Sequence, residues 1–169
     1  RIDVPSSAHT YPVLVGHGLV EQLPRWLSKA GVGEQRFLVS SPTVWKRHGE
    51  TLTAALPDVE HLLVRDGERS KTLRTVERVH EWLIRAGADR RSTIIAVGGG
   101  VVGDAVGFAA ATYLRGVKLV HVPTTLLAQV DSSVGGKVGV NHPLGKNLIG
   151  AFHAPVAVIA DPRLLDTLP

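Results

Sequence analysis

Gly98, Gly99 and Gly100 stand directly behind an apolar run, Ile94 to Val97, and directly ahead of a helical pattern. A turn without Cβ atoms lets a ligand approach the backbone closely. The N–H groups at a helix start are unpaired and carry a partial positive charge, which together favour phosphate. The stretch therefore reads either as a strand–turn–helix cradle for a nucleotide pyrophosphate or as a tight turn that binds nothing. Downstream come a hydroxyl pair, Thr124 and Thr125, and a polar, glycine-rich stretch from Gln129 to His153. It holds Asp131, Lys137, Asn141, His142, Lys146, Asn147 and His153. Lysines beside a phosphate act as point charges, and an amide can hold hydroxyls through both of its faces. Arg115 adds a planar fork suited to carboxylate or phosphate. Such a set can grip an anionic, hydroxyl-rich small molecule beside a nucleotide. His142 and His153 lack helical metal-ligand spacing, so no zinc site made within this chain is expected.

The elements that must position these residues follow from hydrophobic periodicity. Ile2–Val4 and Tyr11–Val15 read as an edge hairpin blunted by Pro5 and Pro12. Strands are expected at Arg36–Val39, Val59–Val64, Ile94–Val97, Lys118–Val122 and Val156–Ala160. Helices are expected at Gly18–Ala30, Thr43–Leu56, Thr72–Ala86 and Val101–Leu114, with shorter ones to Val130 and over Arg163–Leu168. This alternation predicts an α/β fold with a mainly parallel sheet flanked by helices. Ligands in such sheets sit at the carboxyl ends of the strands. Ser40 and Ser41 there are caps or ribose contacts. The loop Asp66 to Lys71 is a solvated turn or part of the ligand edge. Asp104, placed in the first turn of its helix, complements the dipole or bonds a cofactor. Thr124 and Thr125 cap a short helix or donate to a ligand. Gln129 to His153 is too long for a simple connector, and its recurring valines and leucines oppose disorder.

At 169 residues, with 44% hydrophobic and 20% charged residues, the chain is expected to be one domain with a real core. It has no cysteine, which excludes disulfides and thiolate metal sites. The net charge of +4 is spread out and aromatics are only 5%. That pattern favours small phosphorylated ligands over nucleic acid. No apolar run reaches the length of a membrane span and no secretory pattern opens the chain, so a cytoplasmic protein is expected. The first residue is Arg1, which suggests a trimmed chain.

The segments GGGVVGDAVGFAAATYLRG and VPTTLLAQVDSSVGGKVGVNHPLGKNLIGAFHAP, with DGERSK at Asp66 to Lys71, resemble the 3-dehydroquinate synthases, within the wider sugar-phosphate cyclases. The resemblance implies the N-terminal, Rossmann-like, NAD-binding half of a two-domain enzyme. It implies NAD contacts at Asp66, Glu68, Lys71, Gly99, Gly100, Asp104, Thr124 and Thr125, with Leu164 and Thr167 in a further contact segment. It implies substrate contacts at Arg115, Asp131, Lys137, Lys146 and Asn147, the two lysines also touching the nicotinamide side. Ser41 stands where the family often has an Asn or Asp holding the adenosine ribose. The family's divalent metal, zinc or cobalt, is bound by a glutamate and two histidines of a helical C-terminal domain, expected beyond residue 169. The chain alone is therefore expected to bind NAD without turnover. The implied reaction converts 3-deoxy-D-arabino-heptulosonate 7-phosphate to 3-dehydroquinate, with transient oxidation by NAD, loss of phosphate and an aldol closure. A homodimer is implied for the full-length protein. Sister cyclases acting on other sugar phosphates, metal-dependent alcohol dehydrogenases and a non-catalytic nucleotide-binding module are the rival readings.

Overall fold

Alternation along one strand sets the layers of the molecule. In β5 (Thr93–Gly98), Ile94 and Ala96 enter one core and Ile95 and Val97 the other, all four buried. A strand apolar on both faces must be covered on both. The computed structural model, which describes residues 1–168, shows the covering.

The sheet also contains β1 (Ile2–Pro5), β2 (Thr10–Val15), β3 (Arg36–Ser40), β4 (Glu60–Leu63), β6 (Lys118–Pro123) and β9 (Ala157–Ala160), in the order β1-β2-β9-β6-β5-β3-β4. Only β1 and β2 pair antiparallel; every other neighbouring pair is parallel. On one face, Leu23 and Leu27 of α1 (Leu23–Lys29) and Leu52 of α2 (Pro42–Ala55) pack against Leu38, Ile95, Val97 and Val120. On the other, α3 (Leu73–Arg85) and α4 (Gly100–Thr112) pack Val76, Val79, Leu83, Val106 and Ala109 against Phe37, Val39, Ile94 and Leu119. The chain steps outward from β3 to β4 and then returns to β5 on the far side of β3. Connections leaving in opposite directions open a crevice at the carboxyl ends of β3 and β5.

The polar stretch Gln129 to His153 is not a loop. It forms an antiparallel hairpin, β7 (Lys137–His142) and β8 (Gly145–Phe152), laid over α4 with Val138 and Val140 in the α4 core. Gly139 faces Gly150 across the pair, and a Cβ on Gly150 would lie 2.4 Å from the Val138 carbonyl oxygen. Close strand approach explains glycines that the sequence alone presents as loop composition. Gly107 does the same on the helix: a Cβ there would lie 2.4 Å from Val138 Cγ1. Valine is stiff at χ1 and cannot swing aside. Gly107→Ala is expected to lose about 1–3 kcal/mol by overpacking, measured by thermal unfolding. The pair Gly107→Ala with Val138→Ala should recover part of it; no recovery would mean that the hairpin is not what the new methyl meets.

Other boundaries move for local reasons. α1 begins at Leu23 rather than Gly18, with Pro24 in its first turn, where a missing N–H costs nothing. α4 ends at Thr112, because Leu114 and Arg115 adopt positive φ, 49° and 70°. The expected C-terminal helix is a 3₁₀ turn, Pro162–Thr167, capped by Asp161 accepting from the Arg163 N–H. No helix among the described residues is long and apolar enough to cross a membrane.

Candidate functional site

The crevice holds a cavity of about 320 Å³. Its walls come from four strand ends: Ser41 after β3, Arg65 and Asp66 after β4, Gly99 and Gly100 after β5, and Thr124 and Thr125 after β6. Arg47 and His48 of α2 and Thr167 close the sides. Gly99 is the N-cap of α4 in extended conformation, and a Cβ on it would press to 3.0 Å from the Thr125 methyl. The start of α4 thus lies in the cavity wall with glycine at its first positions, and a helix start can accept an anion. Thr125 Oγ1 accepts from the Ala128 N–H at 3.3 Å, so it caps the helix that follows. Thr124 is buried in the wall.

A second cavity, of about 570 Å³, lies alongside and is lined by Asp104, Asp131, Ser132, Lys137, Asn147 and Phe152, among others. Ser132 lies against Gly100, 3.2 Å from where a Cβ would be, so the two cavities meet along the start of α4. Asp131 and Ser132 lie in a π-helical turn, Ala128–Ser132. Such turns carry an extra residue and recur at functional sites.

Lys71 joins these parts. It is 5% exposed and donates to the Asp104 carboxylate and, at 2.5 Å, to Asn147 Oδ1. The Lys71 carbonyl oxygen accepts from the Asn141 N–H at 2.9 Å. Asn141 donates through Nδ2 to Glu68 at 2.7 Å, and its Oδ1 accepts from the Asn147 N–H at 2.9 Å. The loop after β4, helix α4 and the tip of the hairpin are thus one hydrogen-bonded unit. Asn147 sits at φ 54°, in the left-handed region, held there by these bonds. Strain of this kind persists only where the surroundings impose it. Burial pushes the Asp104 carboxyl above its ordinary range; the Lys71 ammonium pulls it back, while Glu68 and Asp131 add to the rise.

The residues singled out from the sequence divide accordingly. Asp66, Gly99, Gly100, Thr124, Thr125 and Thr167 line the first cavity. Asp104, Asp131, Lys137 and Asn147 line the second. Asp104 lies beyond the first turn of α4, not within it, so its partner is Lys71 rather than the helix start. Glu68 bonds the hairpin from the loop. Lys146 is exposed on β8 and lines neither cavity. Leu164 is buried in the core beside α1 and α2. Arg115 lies at the opposite end of α4 from the glycine turn and lines neither cavity, so the structure does not bring it to the others. Ser40 is no cap: its hydroxyl donates to the Val97 carbonyl oxygen at 2.9 Å. His142 braces the turn before β8, Nδ1 accepting from the Leu144 N–H.

Sequence reasoning passed over Arg47, His48, Arg65 and Ser132. The spacing from Ser41 to Arg47 and His48 spans nearly two helical turns, which was the available signal. The described residues contain no group of three His, Cys, Asp or Glu able to hold a metal ion.

The sequence matches the family description "3-dehydroquinate synthase N-terminal" over residues 61–169. The chain belongs to that family. The 3-dehydroquinate synthase of Halorhodospira halophila is 54% identical over 160 residues, covering 95% of this chain and 45% of the relative. Among solved structures, a 2-deoxy-scyllo-inosose synthase complexed with carbaglucose-6-phosphate, NAD+ and Co2+ superposes with a TM-score of 0.87 at 33% identity, covering 99% of this chain and 47% of the other. The 2-epi-5-epi-valiolone synthase of Streptomyces hygroscopicus, with NAD+ and Zn2+ bound, has a TM-score of 0.85 at 34% identity over the same 99% and 47%. The chain spans about half the length of the curated relatives it matches.

Proposed function

We propose that residues 1–169 are the NAD-binding half of a 3-dehydroquinate synthase, a lyase that closes 3-deoxy-D-arabino-heptulosonate 7-phosphate to 3-dehydroquinate with release of phosphate on the way to chorismate. The observation that carries this reading is the meeting of two cavities along α4, a glycine-turn crevice and a lysine-bearing hairpin. Identity of 54% to a named 3-dehydroquinate synthase, against 33% and 34% to the two sister cyclases, favours this substrate over theirs.

The first cavity fits NAD: a side-chain-free helix start for the pyrophosphate, and hydroxyl and carboxylate groups of Thr124, Thr125 and Asp66 for the rest. When bound, NAD supplies reversible hydride transfer at one hydroxyl-bearing carbon of the substrate. The residues of this chain then bind and orient. Lys137 neutralises a substrate anion in the second cavity. Asp131 accepts from substrate hydroxyls. Asn147, its Oδ1 held by Lys71, presents its Nδ2 protons to a substrate oxygen. Glu68, Lys71 and Asp104 hold the frame. A divalent metal, zinc or cobalt, would be held by a helical domain contributed by further chain. The described residues contain no group of side chains suited to hold it. The full-length protein is read as a cytoplasmic homodimer.

The test uses the full-length protein with the heptulosonate phosphate and NAD, following phosphate release. Lys137→Ala is expected to lower kcat/KM about tenfold to hundredfold, the worth of one charged hydrogen bond, and to leave NAD affinity within about threefold. Equal losses in turnover and NAD binding would displace Lys137 from the substrate side. Turnover of another sugar phosphate in place of this one would assign the protein to the sister cyclases.

A further inference from the structure

β7 and β8 change register near the tip of their hairpin. Val140 pairs with Ile149, but the next pair is His142 with Gly145, which leaves Asn141 outside the ladder, opposite Lys146, Asn147 and Leu148. Irregularities of this kind recur beside active sites, where they re-aim a side chain. Here the backbone N–H of Asn141 turns out of the hairpin to the Lys71 carbonyl oxygen at 2.9 Å. Its side chain then takes over the work of the broken ladder, Oδ1 accepting from the Asn147 N–H at 2.9 Å. The Nδ2 end of the same amide donates to the Glu68 carboxylate at 2.7 Å, which fixes the oxygen toward Asn147. Asn147 stands at φ 54°, lines the second cavity and accepts from Lys71 through its own Oδ1. Lys71 thus holds the side chain of Asn147, and Asn141 holds its backbone.

Resting on the substrate-side reading above, we propose that Asn141 is a positioning residue for the reaction. It keeps Asn147 in the left-handed conformation that brings its amide to the second cavity, and it acts on the substrate through Asn147. The group that matters is one acceptor oxygen. An aspartate at 141 supplies that oxygen and an alanine does not. Glu68 is exposed, so a second carboxylate set beside it is screened by water and salt.

The full-length protein is assayed for phosphate release from the heptulosonate phosphate with NAD, each variant being checked by thermal unfolding. Asn141→Ala is expected to raise KM for the sugar phosphate about fivefold to tenfold, the worth of one hydrogen bond, and to leave KM for NAD within about threefold. Asn141→Asp should recover most of that loss. Asn147→Gly enters the left-handed region freely and has no amide to place. In that background Asn141→Ala should change KM by less than about twofold, because groups that act through one another are not additive. A fall in kcat with both KM values unmoved would mean loss of folded enzyme; it would overturn the inference and leave the reading of the function standing. An Asn141→Asp protein as impaired as Asn141→Ala would overturn it too, as would a full further loss in the Asn147→Gly background. No phosphate release by the unaltered protein would overturn both.

Discussion

Replacing Lys71 with alanine is expected to destabilise the protein by about 3 kcal/mol, the usual loss when one partner of a buried ion pair is removed. The Lys71 side chain is 6% exposed and that of Asp104 21%, so the carboxylate left behind is poorly reached by water. Asp104 is already pushed above the usual carboxylate range by burial. Without the ammonium the carboxyl is pushed higher still, which moderates the loss. Asn147 and the hairpin tip lose an anchor in the same substitution. At this chain length the change corresponds to a fall in Tm of about 6–12 °C. Adding Asp104→Asn to Lys71→Ala should return part of the stability, since the two positions are coupled. A loss below about 1 kcal/mol would show the pair to be worth no more than a surface ion pair.

Stability is expected to fall by about 3 kcal/mol through one residue, His121, as pH drops from 6.5 toward 4. His121 lies in the middle of β6, 3% exposed, on the side of the sheet that faces α4; a Cβ on Gly103 would lie 3.5 Å from its Nδ1. Burial, and secondarily the nearby His153, lower its pKa to about 4. The folded state therefore resists protonation while the unfolded chain takes up a proton near pH 6.5. Above pH 6.5 both states are neutral and the residue has no effect. Between 6.5 and 4 the unfolded state binds more protons, so stability declines as pH falls, and below about 4 the loss is complete. His48, lowered by burial and by Arg47, adds a contribution of the same sign. His121→Gln keeps size and polarity without a titrating ring. The difference in stability between pH 6.5 and 4.5 should shrink in this variant, measured by urea unfolding at each pH. An unchanged difference would place the acid sensitivity elsewhere.

The strand ends, the glycine turn and the hydroxyl pair were legible in the residues because each is a local pattern. An apolar run stopped by glycines means a covered strand and a turn, whatever surrounds it. The hairpin was not legible. Its strands interleave glycines with valines, and the reason for Gly139, Gly150 and Gly107 is the approach of backbone and side chains from elsewhere in the chain. The same limit applied to Lys71. A lysine in a charged loop reads as solvated, and only the packing of the hairpin over α4 buries it between Asp104 and Asn147. Arg115 shows the converse: it follows the glycine helix closely in sequence, yet that helix runs back along the sheet and carries it to the opposite edge.

By itself the sequence determined an α/β sheet of mainly parallel strands, because hydrophobic period and turn chemistry are properties of short windows. It also determined the glycine turn that opens a helix directly after β5. Only the tertiary structure decided which charges share a cavity, which are sealed into ion pairs and which point away. Those outcomes depend on distances between segments far apart in the chain, and burial acts on charge over a few ångströms of space rather than a few residues of sequence.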